Sequence, residues 1–284
     1  MSSTPAGEAV RLPGRGTTFV RDVAGPPGAP TVVLLHGLGA TARLNWPGAF
    51  GALSPWFRVV SVDHRGHGRG IRSALPFRLR DCADDVVALA DVLGIDEFVA
   101  VGYSMGGPIA LQARRRHPSR VSGLVLCATA ARFAADDRRP SPAVVTAVAA
   151  SLRLTPPGLR RRVLRSATGY LAREAALPPV FVEEARHHDP AAIVEASQSL
   201  VGFDARPWVG RLACPAVSIV TEHDRLVPRG RQIELAHAVG ASIIPLPADH
   251  DVAVRSPSSF LPALSMACRD VAARGQHHAD RLGR

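Results

Sequence analysis

Apolar residues fall along this chain in two alternating patterns. Short, mainly apolar runs without alternation occur at Thr31–Gly37, Phe57–Gly66, Glu97–Ser104, Val121–Ala128, Pro215–Asp224 and Ala241–Pro247. They are rich in Val, Ile and Leu, and continuous apolar runs of this length predict strands buried on both faces, as in a parallel sheet. Between them, Asp81–Leu93, Met105–His117, Gly230–Val239 and Pro257–Ala273 carry apolar residues at helical spacing. Strand alternating with helix predicts an α/β fold, a mostly parallel sheet flanked by helices.

The alternation breaks between Ala131 and Pro207. That stretch is rich in Ala, Arg and Pro, with helical patches at Ser141–Leu154, Leu159–Leu171 and Pro179–His188. It reads as a helical cap inserted between two strands. The predicted organisation is a first core part over 1–130, the cap over 131–207, a second core part over 208–275 and a flexible tail over 276–284. The first 20 residues or so also read as a loosely held end.

With 284 residues, 46% of them hydrophobic, the chain can bury a sizeable core. The formal net charge is +10, and every basic residue apart from histidine is an arginine. A basic surface for nucleic acid would fit the charge. The arginines are spread along the chain, however, and no aromatic residues interleave with the two densest clusters, Arg114–Arg116 and Arg160–Arg162. Compositional bias is the better reading, and no nucleic-acid partner is expected. Cys82, Cys127, Cys214 and Cys268 are widely spaced and form no metal-ligand pair. They read as free thiols of a reducing compartment. No apolar leader and no run of 18 apolar residues is present, so a cytoplasmic protein with no membrane span is expected.

The stretch Gly102-Tyr103-Ser104-Met105-Gly106 lies where a predicted strand meets a predicted helix. A G-x-S-x-G corner of this kind thrusts the serine out above the sheet edge, and glycines on each side let helix and strand approach. Ser104 would then stand at a helix N-terminus, with the Met105 N–H free beside it. The plainer alternative is a serine N-cap on an ordinary helix. A serine needs a base to become a nucleophile. Asp224, at the end of one later strand, and His250, after the last, are candidates to orient and supply it.

One competing motif is Gly37–Ala42, "GLGATA", which fits a dinucleotide-binding G-x-G-x-x-A after a strand, with Asp63 ending the next strand. It would make the chain an NAD(P)-dependent oxidoreductase. His36 before the first glycine argues against it, and it leaves Ser104, Asp224 and His250 unexplained.

The pieces "LLHGLG", "VDHRGHG", "GYSMGG", "TEHDRLVP" and "ADHDVAV", in this order and spacing, resemble the α/β-hydrolase family over roughly Leu34 to Asp251 outside the cap. The resemblance implies Ser104 as nucleophile, Asp224 as orienting acid and His250 as base. It also implies an oxyanion hole built from the Leu38 and Met105 N–H groups. No metal or organic cofactor is implied. One departure is Asp249, where the family usually has glycine before its histidine, with Asp251 on the other side. Either could compete with Asp224, although a sequence neighbour reaches its own histidine's Nδ1 poorly. The implied activity is a serine carboxylesterase acting on a small to medium hydrophobic acyl substrate. Thioesterase, lactonase and C–C-bond hydrolase are alternatives with the same triad, and a non-catalytic ligand-binding relative is the alternative of another class. Trp208, Phe203, Phe181 and Tyr170 are candidate pocket walls, with the core as the alternative place for each.

Overall fold

A computed structural model describes residues 4–133, 142–156, 158–159, 162 and 179–281. Among the described residues, eight strands form one sheet: β1 (Glu8–Leu12), β2 (Gly16–Val23), β3 (Thr31–Leu35), β4 (Arg58–Val62), β5 (Phe98–Tyr103), β6 (Val121–Cys127), β7 (Ala216–Thr221) and β8 (Ser242–Leu246). Their spatial order is β1-β2-β4-β3-β5-β6-β7-β8. From β4 to β8 every pairing is parallel, while β1 and β2 are antiparallel additions at one edge.

The first residues are therefore not a loose end. Residues 8–12 pair with 16–20 as a hairpin, and β2 then pairs with β4. Leu12 and Val20 plug into the core from this hairpin. The misreading has a physical cause: β1 is short and largely exposed, and its support comes from distant partners rather than its own pattern.

The central strands alternate their side chains between two apolar layers. In β5, Phe98 and Ala100 face one cluster, while Val99, Val101 and Tyr103 face the other. The first cluster is covered by α3 (Leu79–Val92), α4 (Gly106–Arg116) and, through Leu235, α8 (Arg229–Ala238). The second is covered by α1 (Ala42–Asn45), α2 (Ala49–Leu53), α9 (Val252–Arg255) and α10 (Pro257–Arg281). Both faces of the central strands are thus buried, which is why those strands lack polar alternation. The last helix runs on to Arg281, past the end at Ala273 that its pattern predicted and into the segment read as a tail.

Between β6 and β7 lie α5 (Pro142–Leu154), α6 (Pro179–Ala185) and α7 (Pro190–Val201), followed by a 3-10 turn at Val209–Arg211. α5 packs on α7, and α7 packs on α3. Asp189 caps α7 by accepting from the Ala191 N–H at 3.0 Å, with Pro190 pre-set for the first turn. Most of the patch predicted at Leu159–Leu171, including Tyr170, and most of the Arg160–Arg162 cluster lie outside the described residues. Phe203 and Trp208 pack edge to face at 6.2 Å within the first cluster, so they belong to the core and not to a pocket wall.

The Arg114–Arg116 cluster is occupied within the chain. Arg114 donates to the carbonyls of Val121 and Ala213, Arg115 stacks over Trp208 at 4.5 Å, and Arg116 pairs with Asp84. All four cysteines are free thiols. Among the described residues, no helix is long and apolar enough to cross a membrane.

Candidate active site

The chain reverses its direction of strand addition at β3: β4 lies on one side and β5 on the other. In open α/β sheets the crevice at the carboxyl ends of such strands is where a ligand fits. The segment His36-Gly37-Leu38 leaves β3 at this point, and Ser104 follows β5.

Ser104 has φ of +51°, a left-handed conformation that a non-glycine residue adopts only under constraint. The constraint is visible in its surroundings. The Ser104 N–H donates to the Cys127 carbonyl at 2.9 Å, and its carbonyl accepts from the Gly107 N–H and the Thr129 hydroxyl. A Cβ on Gly102 would stand 2.4 Å from the Gly106 carbonyl oxygen, and one on Gly106 only 2.0 Å from that of Leu35. Both glycines are demanded by the packing of α4 against the strands.

Three distant side chains meet above this corner. His250 Nε2 lies 3.0 Å from Ser104 Oγ, and His250 Nδ1 lies 2.8 Å from Asp224 Oδ2. Asp224 is heavily hydrogen-bonded. Its Oδ1 accepts from the Leu226 and Val227 N–H groups, and its Oδ2 accepts from the Thr221 hydroxyl at 2.7 Å. Burial pushes this carboxyl's pKa up, but the hydrogen bonds from His250, Val227 and Thr221 outweigh it and hold the group below its ordinary value. It is therefore a carboxylate at neutral pH, suited to orienting an Nδ1–H.

The flanking carboxylates point elsewhere. Asp249 Oδ1 accepts from the N–H groups of His250 and Arg225, and Asp251 pairs with Arg255. Neither takes the place of Asp224 at Nδ1.

Leu38 and Met105 border the serine from the β3 loop and the start of α4 respectively. Among the described hydrogen bonds, neither of their N–H groups donates to another group of the chain. The loop is braced from beneath: the Gly37 N–H donates to Asn45 Oδ1 at 2.8 Å. His36 is fully buried, and its Nε2 accepts from the His64 N–H at 3.0 Å. Its proton must then sit on Nδ1, which donates to the Gly37 carbonyl at 2.8 Å. Burial lowers its pKa, in keeping with this neutral form. His36 thus holds backbone. Asp63 is likewise consumed, with its carboxylate accepting from the Ala42 and Arg69 N–H groups in the interior. It is not available to a ribose, and the dinucleotide reading of Gly37–Ala42 has no acidic partner there.

A pocket of about 170 Å³ opens onto Ser104 and His250. Its apolar walls include Leu38, Leu44, Phe181, Ala253 and Val254. Phe181 comes from α6, so the insertion between β6 and β7 contributes a wall.

Several residues around the site carry no local signal in the sequence. Gln232, on α8, donates to the Thr221 hydroxyl and the Val227 carbonyl, completing the frame around Asp224. Tyr103 donates its hydroxyl to the His250 carbonyl. Such contacts depend on which elements become neighbours, and no spacing rule announces them.

Comparisons with known proteins agree with this architecture. A family model described as the alpha/beta hydrolase fold matches residues 30–251. A pimeloyl-[acyl-carrier protein] methyl ester esterase from Chromobacterium violaceum is 32% identical over 219 residues, covering 76% of this chain and 84% of that protein. A Caulobacter protein provisionally named a carbamate hydrolase is 29% identical over 246 residues, covering 82% and 88%. Among solved structures, an enol-lactonase from Burkholderia xenovorans superposes with a TM-score of 0.74 at 27% identity, covering 90% of this chain and 98% of that one.

Proposed function

The chain belongs to the α/β-hydrolase fold family and is a hydrolase, and from that premise we propose that it is a serine carboxylesterase. Its substrate is a small to medium hydrophobic acyl ester. The observation that carries this reading is the unbroken line from Asp224 through His250 to Ser104, with contacts of 2.8 and 3.0 Å, ending on a serine held at φ +51°.

The geometry suits acyl transfer. Ser104 Oγ attacks the ester carbonyl carbon while His250 Nε2 takes its proton. The Asp224 carboxylate keeps the histidine proton on Nδ1 and stabilises the imidazolium that forms. The carbonyl oxygen becomes an anion, to which the Leu38 and Met105 N–H groups donate, aided by the N-terminus of α4. His250 returns the proton to the departing alcohol, and the acyl group stays on Ser104. Water, deprotonated by His250, then releases the acid by the same steps. The pocket walls of Leu38, Leu44, Phe181 and Val254 favour an apolar acyl chain over a charged one.

The test is a substrate panel run on the full chain and on Ser104→Ala. It contains p-nitrophenyl esters of increasing acyl length, acyl thioesters and lactones. The expected result is turnover of short and medium esters that vanishes in Ser104→Ala, together with a fluorophosphonate label confined to Ser104. Undiminished hydrolysis by Ser104→Ala would refute the mechanism. A clear preference for thioesters or lactones would keep the triad but move the substrate class.

A further inference from the structure

The loop that carries Leu38 is gripped from the cap side by a histidine. Residues 37–40 form a tight turn: the Ala40 N–H donates to the Gly37 carbonyl at 3.3 Å, and Gly39 has φ of +68°. The carbonyl of Gly39 faces the cap, where it lies 3.0 Å from His188 Nε2. The other ring nitrogen, Nδ1, accepts from the Gly68 N–H at 2.9 Å. A nitrogen that accepts from an amide carries no proton, so the ring's proton is on Nε2 and is donated to Gly39. His188 therefore exists here as one neutral tautomer with both nitrogens engaged. Its ring also lies edge-on to His67, with centroids 5.6 Å apart.

A second cap residue grips the same segment four positions earlier. Glu184, on α6, is fully buried, and its Oε2 accepts from the Thr41 hydroxyl at 2.8 Å. Its Oε1 lies 3.3 Å from Arg43 Nη1. Glu184 holds the far end of the 37–43 segment, and His188 holds the turn itself.

From this arrangement we infer that His188 is a positioning residue for the oxyanion site. By fixing the Gly39 carbonyl it fixes the turn, and through the turn the direction of the Leu38 N–H. The cap then does more than supply Phe181 to the pocket: its docking aims one of the two donors that meet the developing anion. The inference rests on the reading of Leu38 as an oxyanion donor. A donor displaced by about 1 Å loses much of its worth, because stabilisation depends on preorganised distance.

The two ring nitrogens can be separated by substitution. In His188→Gln the side-chain amide nitrogen reaches the place of Nε2 and can still donate to Gly39. In His188→Asn the shorter amide reaches only the place of Nδ1 and can engage Gly68 alone. His188→Ala loses both. Each full-length variant is assayed for kcat and KM on p-nitrophenyl acetate. Each is also assayed for inhibition by an alkyl trifluoromethyl ketone, whose tetrahedral adduct with Ser104 puts an oxyanion where the two amides converge.

The expected result is a kcat about tenfold or more lower in His188→Ala and His188→Asn. Ketone affinity falls in parallel, KM changes little, and His188→Gln stays near the parent. Equal activity in the Gln and Asn variants, or unchanged kcat and ketone affinity in either Asn or Ala, overturns the inference. Should His188→Ala fail to fold, the Gln and Asn pair still decides the matter. An inactive Ser104→Ala beside a fully active His188→Asn sinks this inference alone, whereas an active Ser104→Ala sinks the site reading and this inference together.

Discussion

The hydroxyl of Tyr103 donates to the backbone carbonyl of His250, so the residue just before the corner serine holds the backbone of the histidine above it. The two rings also meet edge to face, with centroids 5.9 Å apart. Strand β5 thereby fixes both the serine and the loop that brings the histidine to it. Tyr103→Phe keeps the ring and removes only the hydroxyl. The expected outcome is a several-fold fall in kcat with KM nearly unchanged, and a stability loss of about 1 kcal/mol for one hydrogen bond. Steady-state kinetics and urea denaturation measure the two effects.

The corner itself should tolerate almost no added volume. Gly106→Ala would drive a Cβ to within 2.0 Å of the Leu35 carbonyl oxygen, which is rigid backbone in the sheet. Loss of soluble, folded protein is expected. Gly230→Ala is the control: it lies in the first turn of α8, and nothing stands within 4 Å of its added Cβ. That change should leave stability unchanged or raise it by up to about 1 kcal/mol. Expression yield and thermal melting distinguish the two.

Three carboxylates lie close to His250 in sequence or space, and their removal should have unequal effects. Asp224→Asn keeps the shape but lets the imidazole turn to the wrong tautomer, so kcat is expected to fall by about 10⁴-fold. Asp249→Asn and Asp251→Asn, whose carboxylates bind backbone amides and arginines, should change kcat less than tenfold. The kcat values of the three variants on one ester check the ranking.

Stability should weaken in mild acid, in part through His188. Burial, outweighing the help of the Gly39 carbonyl and of Asp63, pushes this imidazole down to about 4, with His36 and Arg72 acting in the same direction. An unfolded chain takes up this proton near pH 6.5, while the folded chain resists until about pH 4. Between those values the unfolded state binds more protons, so stability falls as pH falls through the window. Buried His36, His64 and His67, also shifted downward by burial, act in the same sense. Urea midpoints from pH 7 to pH 5 should decline in the parent, and less steeply in His188→Gln. Equal slopes would show that His188 takes no part.

Much of the frame is legible in the sequence. Buried strands at Thr31, Phe98 and Ala216 announce themselves because both faces of each are covered, leaving mainly apolar runs without polar alternation. Gly102 and Gly106 are legible for a local reason, since a strand that turns at once into a packed helix has no room for a Cβ. Of the opening hairpin, β1 is not legible. β1 exposes most of its side chains, and its pairing with β2 and the docking of β2 on β4 replace any strong pattern of its own.

From the residues alone follow the alternation of strand and helix, the strained corner at Ser104 and the small set of acids and histidines able to serve it, because each depends on sterics and periodicity within a few positions. Only the folded sheet brings Asp224, and neither Asp249 nor Asp251, to His250 Nδ1, and only the packing of the segment between β6 and β7 brings His188 to the Gly39 carbonyl. These are encounters between residues far apart in the chain, and their distances are set by how whole elements pack.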